Sequence, residues 1–143
     1  MFFHSDITKD LSRGKKFFED IISFTIGPYT LDDIIANRVN TINIADVREY
    51  NDYLDGHIPY AVHLPYKDEK FDILDKDKVT VIYSYSDSCP RAYNKALKLI
   101  EKQYPAVVLR GGFKEWKNFD FDIIKTDSQN YDVRGKIHDK PKA

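Results

Sequence analysis

The sequence contains a single cysteine, Cys89, and no long uninterrupted run of apolar residues. One cysteine cannot form a disulfide within the chain. No apolar stretch approaches the roughly 20 residues that a membrane-spanning helix needs. Residues 1–3 are followed at once by polar and charged residues, so the pattern of a secretory signal peptide is absent. These absences predict a protein that does not associate with membranes and favour a cytoplasmic location.

An excess of charge of one sign is also lacking. The chain has 22 Lys and Arg against 23 Asp and Glu, a net charge of −1. No overall field therefore attracts it to nucleic acid, and its 10 tyrosines are too scattered to form a platform for stacked bases. The histidines are equally scattered and show no zinc-binding spacing: His4, His57, His63 and His138. We expect no metal, no cofactor and no nucleic-acid partner.

The composition is that of an ordinary globular protein. Hydrophobic residues make up 42% of the 143 residues and charged residues 31%, which is enough to build one core. We predict a single domain over residues 1–125, followed by a polar and mobile tail over residues 126–143. The sequence does not indicate an oligomeric state.

Strand patterns alternate with helix patterns along the chain. A helix is predicted over residues 14–23, with Phe17, Phe18, Ile21 and Ile22 on its apolar face. A second helix is predicted to begin with Thr30 as its N-cap. Short β-favouring runs lie at residues 24–26, 41–45, 61–64, 79–83 and 106–109. This alternation predicts an α/β fold with a mostly parallel sheet and helices on both of its faces.

Residues 79–100 form the most informative unit, a buried strand followed by a polar loop and a helix. Pro90 suits the first turn of that helix. The loop of residues 84–89 thus ends at a helix N-terminus, where amides and the helix dipole favour an anion or a thiolate. Because ligands bind at the carboxyl ends of parallel strands, Asp46 and Gly111 are expected at the same edge. An ordinary structural connection between a strand and a helix would show the same pattern.

Two ordered motifs point to a family. The first is INIADVREYNDYLDGHIPYAVHLP, residues 42–65, in which Asp46-x-Arg48 precedes a short helix and Gly56-His57-Ile58-Pro59. The second joins Leu109, Gly111, Gly112 and Trp116. In this order, with the strand that enters the loop between them, they resemble the rhodanese-like (sulfurtransferase) family over roughly residues 25–118.

The resemblance implies a five-stranded sheet and a specific chemistry. In active members, a cysteine directly after the central strand takes a sulfane sulfur from a donor such as thiosulfate, holds it as a persulfide and passes it to an acceptor. In this chain that position is Ser84. A serine hydroxyl stays protonated without a base and would have to form an O–S linkage. Conventional rhodanese turnover at Ser84 is therefore not expected.

The loop departs from the family in two further ways. Asp87 stands where many members have glycine, and its charge would repel an anionic donor. Many members have an arginine five residues after the nucleophile, but that position is Cys89 in this chain and Arg91 follows two residues later. The resemblance makes Tyr85, Ser86, Asp87, Ser88 and Arg91 the candidate anion or substrate loop. Structural roles at the rim are predicted for Asp46, Arg48, His57, Gly111, Gly112 and Trp116, in preference to a direct catalytic role for Asp46 and Arg48 or an acid–base role for His57.

Cys89 leaves two alternatives open. As a thiol next to a helix N-terminus, it is a candidate persulfide carrier or oxidant sensor. As a small, half-buried residue, it would start a helix and do no chemistry. Phosphatase-type chemistry is disfavoured, because the Cys-x5-Arg spacing from Cys89 falls on Lys95.

The sequence favours a rhodanese-like binding or regulatory module without turnover. The alternative is a sulfur carrier or sulfurtransferase that works through Cys89. The expected partner is accordingly a sulfane-sulfur donor or acceptor, or another protein.

Overall fold

The computed structural model describes residues 7–126, which form an α/β fold. The strands are β1 (Thr25–Ile26), β2 (Ile42–Asp46), β3 (Val62–His63), β4 (Val79–Tyr83) and β5 (Ala106–Leu109). The helices are α1 (Leu11–Phe24), α2 (Pro28–Arg38), α3 (Tyr50–Asp55), α4 (Arg91–Glu101) and α5 (Gly112–Asn118), with a short 3-10 helix at Val39–Thr41. Residues 127–143, most of the predicted tail, lie outside the described part.

The five strands form one sheet in the order β1-β5-β4-β2-β3, and every pair of neighbours is parallel. β4 lies at the centre and pairs with β2 along its whole length, from Ile42 opposite Val79 to Asp46 opposite Tyr83. The predicted five-stranded α/β sheet is confirmed. Because the strands are parallel, the carboxyl ends of β2, β4 and β5 meet at one edge.

Apolar residues cover both faces of the sheet, as predicted. Successive strand residues point to opposite faces, so Ile44 and Val81 join one cluster whereas Ala45 and Ile82 join the other. Helix α4 packs on the second face through Ala92, Ala96 and Leu99. Helices α2 and α5 cover the first face, to which they contribute Leu31, Phe113 and Trp116.

The start of α2 differs from the sequence prediction. The helix begins at Pro28 with Gly27 as its N-cap, so the prediction of Thr30 as N-cap was wrong. Proline at the first helical position has a suitable fixed φ, and the N–H that it lacks would have no intrahelical partner there. Pro28 therefore starts the helix two residues before Thr30, so Thr30 lies inside the helix and not at its N-cap.

Helix α1 is longer than predicted, and its apolar face is not buried. It begins at Leu11, and the Asp10 side chain caps it by accepting a hydrogen bond from the Arg13 amide. None of its residues is fully buried, and its main contacts are with β1 and β5 at the sheet edge. Within residues 7–126, no helix is both long and apolar enough to cross a bilayer.

Candidate functional site

The loop after β4 brings Ser84 and Cys89 into direct contact. Ser84 is only 3% exposed, and its hydroxyl donates a hydrogen bond of 3.1 Å to the Cys89 Sγ. The loop turns back on itself, with the Cys89 amide donating to the Ser86 carbonyl over 3.1 Å. Pro90 is then the N-cap of α4. Two residues five positions apart thus form one polar pair at the carboxyl end of the central strand.

The surroundings of Cys89 favour its thiolate. The hydrogen bond from Ser84 is the largest cause of a lowered pKa for the Cys89 thiol. Partial burial opposes this shift, whereas a hydrogen bond from the Arg91 backbone and the Arg91 charge add to it. Cys89 is half-buried and is the free thiol of the chain. A half-buried thiol with a lowered pKa has the two properties that sulfur chemistry requires.

The Arg91 guanidinium is held beside the loop by other partners. It forms an ion pair of 3.0 Å with Glu49, and its Cζ lies 5.0 Å from the centroid of the Tyr66 ring. The Arg91 charge therefore lowers the pKa of Cys89 while its guanidinium is bound to Glu49 and Tyr66. The sequence did not indicate Glu49 or Tyr66 as its partners, because both are distant in the chain.

Asp87 ties the loop to the turn between β5 and α5. Its carboxylate accepts a hydrogen bond of 2.9 Å from the Gly111 amide. It also lies 3.5 Å from the Tyr93 hydroxyl, whose pKa is raised by burial and by the Asp87 charge. The carboxylate thus has a structural role and still places a negative charge at the rim.

Gly111 and Gly112 let α5 approach the loop closely. Their φ angles are +80° and +62°, which side chains other than that of glycine rarely adopt. A Cβ on Gly112 would lie 2.7 Å from the Ser84 carbonyl oxygen. The two amides that follow donate to the loop: Phe113 to the Ser84 carbonyl over 2.9 Å, and Lys114 to the Tyr85 carbonyl over 2.8 Å. The Gly-Gly sequence therefore fixes the backbone of the loop.

Asp46 and Arg48 form a buried ion pair behind the loop. Their exposed fractions are 0% and 7%, and the Arg48 Nη2 lies 2.7 Å from the Asp46 Oδ2. The same guanidinium donates to the Gly56 carbonyl, and its Cζ lies 4.0 Å from the Phe113 ring centroid. Burial lowers the pKa of Arg48, but the hydrogen bond and charge of Asp46, together with the charges of Tyr83 and Asp52, raise that pKa overall. The pair therefore links the end of β2 to the turn at Gly56 and packs against α5.

His57 and Trp116 both hold the backbone near the rim. The His57 Nδ1 lies 2.9 Å from the Tyr53 carbonyl oxygen, and its backbone exchanges two hydrogen bonds of 2.9 Å with Ile124. Trp116 is fully buried, and its Nε1 donates to the Asp122 carbonyl over 2.8 Å. Neither side chain reaches the Ser84–Cys89 pair through a described contact.

The sequence reasoning missed a groove of about 630 Å³ next to the loop. Tyr85 and Arg48 line it together with the basic side chains of Lys117 and Lys125. Its other lining residues are Asp52, Asp55, Gly56, Phe113 and Ile123. Lys117 and Lys125 belong to no recognisable sequence motif, so their position at this groove follows only from the fold. Within the described residues, no group of acidic, histidine or cysteine side chains could hold a metal ion.

Comparisons with known proteins identify the fold and the family. A protein-family model described as "Rhodanese-like domain" matches residues 29–119. The chain belongs to the rhodanese-like family. This rhodanese-like chain is also 37% identical over 76 residues to the putative sulfurtransferase YtwF of Bacillus subtilis, covering 52% of this chain and 72% of that protein. The family resemblance that the sequence motifs predicted is confirmed.

Solved structures show the same fold. The BH2092 protein from Bacillus halodurans superimposes with a TM-score of 0.74 at 23% identity, over 82% of this chain and 88% of that one. A rhodanese-like domain protein from Staphylococcus aureus gives a TM-score of 0.58 at 21% identity, over 65% of this chain and 90% of that one. At these identities the likeness concerns the fold alone.

Proposed function

We propose that this rhodanese-like protein handles sulfane sulfur through Cys89, with Ser84 as the hydrogen-bond donor that stabilises its thiolate. The observation that carries the proposal is the 3.1 Å contact between the Ser84 Oγ and the Cys89 Sγ. Ser84 occupies the position of the family nucleophile, so the thiol of Cys89 lies one hydrogen bond away from it. Membership of the family and the sulfurtransferase description of YtwF support sulfur as the cargo.

The proposed reaction has two displacements. The Cys89 thiolate attacks the outer sulfur of thiosulfate, the S–S bond breaks, and sulfite leaves with the bonding electron pair. Cys89 then carries a persulfide anion. A nucleophilic acceptor attacks the terminal sulfur, the second S–S bond breaks, and the Cys89 thiolate is regenerated. No external oxidant or reductant is needed, since sulfur moves between two nucleophiles.

The loop supplies what a persulfide anion needs. The Ser84 hydroxyl already donates to the Cys89 Sγ, and the Phe113 amide holds the Ser84 backbone in place. The Arg91 amide and charge add positive potential on the helix side. The neighbouring groove, which Lys117 and Lys125 line together with Asp52 and Asp55, offers room for an acceptor.

A second candidate is a binding or regulatory module without turnover, as the sequence alone favoured. Two contacts support it. Asp87 places a carboxylate at the rim, and Glu49 pairs with the arginine that would otherwise offset that charge. Under this proposal the loop of residues 84–89 recognises a protein partner. A single domain over residues 1–125 and a cytoplasmic location are compatible with both candidates and remain proposals.

Thiocyanate formation from thiosulfate and cyanide tests the choice between the two candidates. The first predicts turnover by the wild type and none by Cys89→Ala, with Ser12→Ala, an exposed position on α1, as the control that keeps turnover. The second predicts no turnover by any of the three. The double variant Ser84→Cys with Cys89→Ala places the only thiol at position 84. Thiocyanate formation by this variant would show that the loop can still bind the donor and that only a cysteine at position 84 was missing.

A further inference from the structure

The groove beside the functional loop carries charges of both signs. Its acidic side consists of Asp52 and Asp55 on α3, and its basic side consists of Lys117 on α5 and Lys125 in the segment that follows. All four residues are exposed. Within residues 7–126, none of the four side chains takes part in an ion pair. The groove therefore presents two carboxylates and two ammonium groups to a ligand.

The acidic side of the groove attracts a cation. Asp52 and Asp55 are three residues apart on α3, so they lie on the same face of that helix. Asp55 is the last residue of α3, at the end where the helix dipole is negative. The charge of Asp52 helps to raise the pKa of Arg48, which also lines the groove. The Arg48 guanidinium is already bound to Asp46 and to the Gly56 carbonyl, so it does not supply the free cation that this side attracts.

The groove also has an apolar floor, which Tyr85, Phe113 and Ile123 supply. The Phe113 ring is close to both charged sides. A Cβ built on Gly56, the residue after Asp55, would lie 3.5 Å from the Phe113 Cζ and 3.0 Å from the Ile123 Cγ2. On the basic side, the Lys117 Nζ lies 5.8 Å from the centroid of the same ring. A ligand that reaches from one side to the other therefore crosses an apolar surface about one aromatic ring wide.

These features select the charge and the size of the ligand. A ligand with charges of one sign would meet two like charges in the groove, whereas a zwitterion can place each of its charges beside the opposite sign. The volume of about 630 Å³ is that of a site for a small molecule larger than one amino acid. Three extended residues span about 10 Å, which is enough to cross an aromatic ring. We propose that the groove binds a short zwitterionic peptide, with its amino terminus at the acidic side, its carboxylate at the basic side and an apolar side chain on the floor.

A zwitterion with a quaternary ammonium group fits the groove less well. Such groups bind over free aromatic faces, but two cations already lie over the Phe113 ring, with the Arg48 Cζ at 4.0 Å and the Lys117 Nζ at 5.8 Å from its centroid. A primary ammonium group can instead donate hydrogen bonds to the two carboxylates of the acidic side.

The proposed ligand would lie next to the functional loop. Tyr85 lines the groove and directly follows Ser84 in the chain, whereas Cys89 does not line the groove. The proposal concerns binding alone, so it does not depend on sulfur transfer at Cys89.

Isothermal titration calorimetry of the full chain with four forms of the tripeptide Gly-Leu-Gly tests the proposal. The forms have free termini, an acetylated amino terminus, an amidated carboxyl terminus, or both modifications. At low ionic strength, we expect the free form to bind about fivefold more tightly than either singly modified form, as for the loss of one exposed ion pair, and the doubly modified form to bind most weakly. Equal affinities of the four forms, tightest binding by the doubly modified form, or no binding of the free form at millimolar concentration would overturn the proposal.

Two double variants test which end of the peptide binds at which side. Lys117→Gln with Lys125→Gln should bind the free and the amidated forms equally, and should still prefer the free form to the acetylated form. Asp52→Asn with Asp55→Asn should do the reverse and no longer distinguish the free form from the acetylated one. If both double variants kept the wild-type preferences, the peptide would bind elsewhere and the proposal would be wrong.

Three single variants are the controls. Lys70→Gln and Asp72→Asn change exposed residues between β3 and β4 and should keep the wild-type order of affinities. Cys89→Ala should bind the free peptide as the wild type does, so the result is independent of whether Cys89 accepts sulfur. Loss of peptide binding in Cys89→Ala would place the ligand at the thiol and not in the groove, which contradicts the proposal.

Discussion

The Ser84 hydroxyl donates a hydrogen bond of 3.1 Å to the Cys89 thiol. The residue that directly follows the central strand therefore supports the thiol five residues later. A donor to the sulfur stabilises the thiolate more than the thiol, since hydrogen bonds to charged groups are the stronger ones. In the proposed function the two residues act as one unit.

Removing the Ser84 hydroxyl should make Cys89 less reactive. In Ser84→Ala the main cause of the lowered Cys89 pKa is absent, so less thiolate is present at neutral pH. We expect several-fold slower alkylation by iodoacetamide near neutral pH, and a rate-against-pH curve whose midpoint moves to higher pH. In the wild type the midpoint should lie below 9.0, the ordinary pKa of this thiol.

Ser88→Ala is the matched control for that experiment. Ser88 lies in the same loop, but its hydroxyl contacts Ser86 over 2.8 Å and not Cys89. Its alkylation profile should overlay that of the wild type. Equal profiles for Ser84→Ala and the wild type would mean that the hydroxyl does not govern the thiolate.

Neutralising Asp87 should speed the reaction with anionic donors. Asp87→Asn keeps an oxygen that can accept from the Gly111 amide but removes the negative charge from the rim. Thiosulfate should then react with Cys89 several-fold faster at low ionic strength, and the gain should shrink as salt screens the charge. Alkylation by the neutral reagent iodoacetamide should change little. A rate with thiosulfate that is unaffected at low salt would show that Asp87 does not repel the donor.

A methyl group on Gly112 should distort the loop. In Gly112→Ala the new Cβ meets the carbonyl oxygen of Ser84 at 2.7 Å and backbone atoms of Tyr85 at 2.8 Å, at a φ of +62°. The expected loss of unfolding free energy is about 1 to 3 kcal/mol, with a weakened Ser84–Cys89 contact and slower alkylation. Urea denaturation and the alkylation assay measure these effects.

Gly14→Ala serves as the opposite case. Gly14 lies within α1, and nothing lies within 4 Å of the position that its new methyl group would take. Alanine in a helix interior is more stable than glycine by about 0.5 to 1 kcal/mol. If both alanine variants had the same effect on stability, the close contact at Gly112 would not be the cause.

Breaking the buried Asp46–Arg48 pair should destabilise the protein far more than breaking an exposed one. Arg48→Met leaves the fully buried Asp46 carboxylate without its main cation and the Gly56 carbonyl without a donor. The expected loss is about 3 to 5 kcal/mol in urea denaturation. Glu19→Gln removes the exposed partner of Lys15 and should cost less than about 1 kcal/mol. Similar losses in the two variants would contradict a buried structural pair.

The sequence predicted the sheet and the edge where the site lies, because these follow from local patterns. Alternating strands and helices dictate a parallel sheet, and the residues after Asp46, Tyr83 and Leu109 then meet at one edge. The motif with Gly111 and Gly112 also has a local cause, since their positive φ angles require glycine. Such features depend on residue type and spacing alone.

The contacts that decide the chemistry depend on tertiary structure. The sequence predicts Cys89 as a candidate thiol but does not indicate its contact with Ser84, which the turn of the loop creates. The ion pair of Arg91 with Glu49 joins two segments far apart in the chain, so no local pattern could reveal it. In α1 the periodicity predicted the apolar face correctly, but it does not say whether the core covers that face.

Intact-protein mass after incubation with thiosulfate tests most directly whether Cys89 accepts sulfur. We expect a species one sulfur atom heavier, which disappears on treatment with a reductant and is absent in Cys89→Ala. Peptide mapping should place the added sulfur on Cys89. An unchanged mass in wild-type protein whose Cys89 still reacts with iodoacetamide would contradict the proposed function, since an accessible thiolate would then be present that does not accept sulfur.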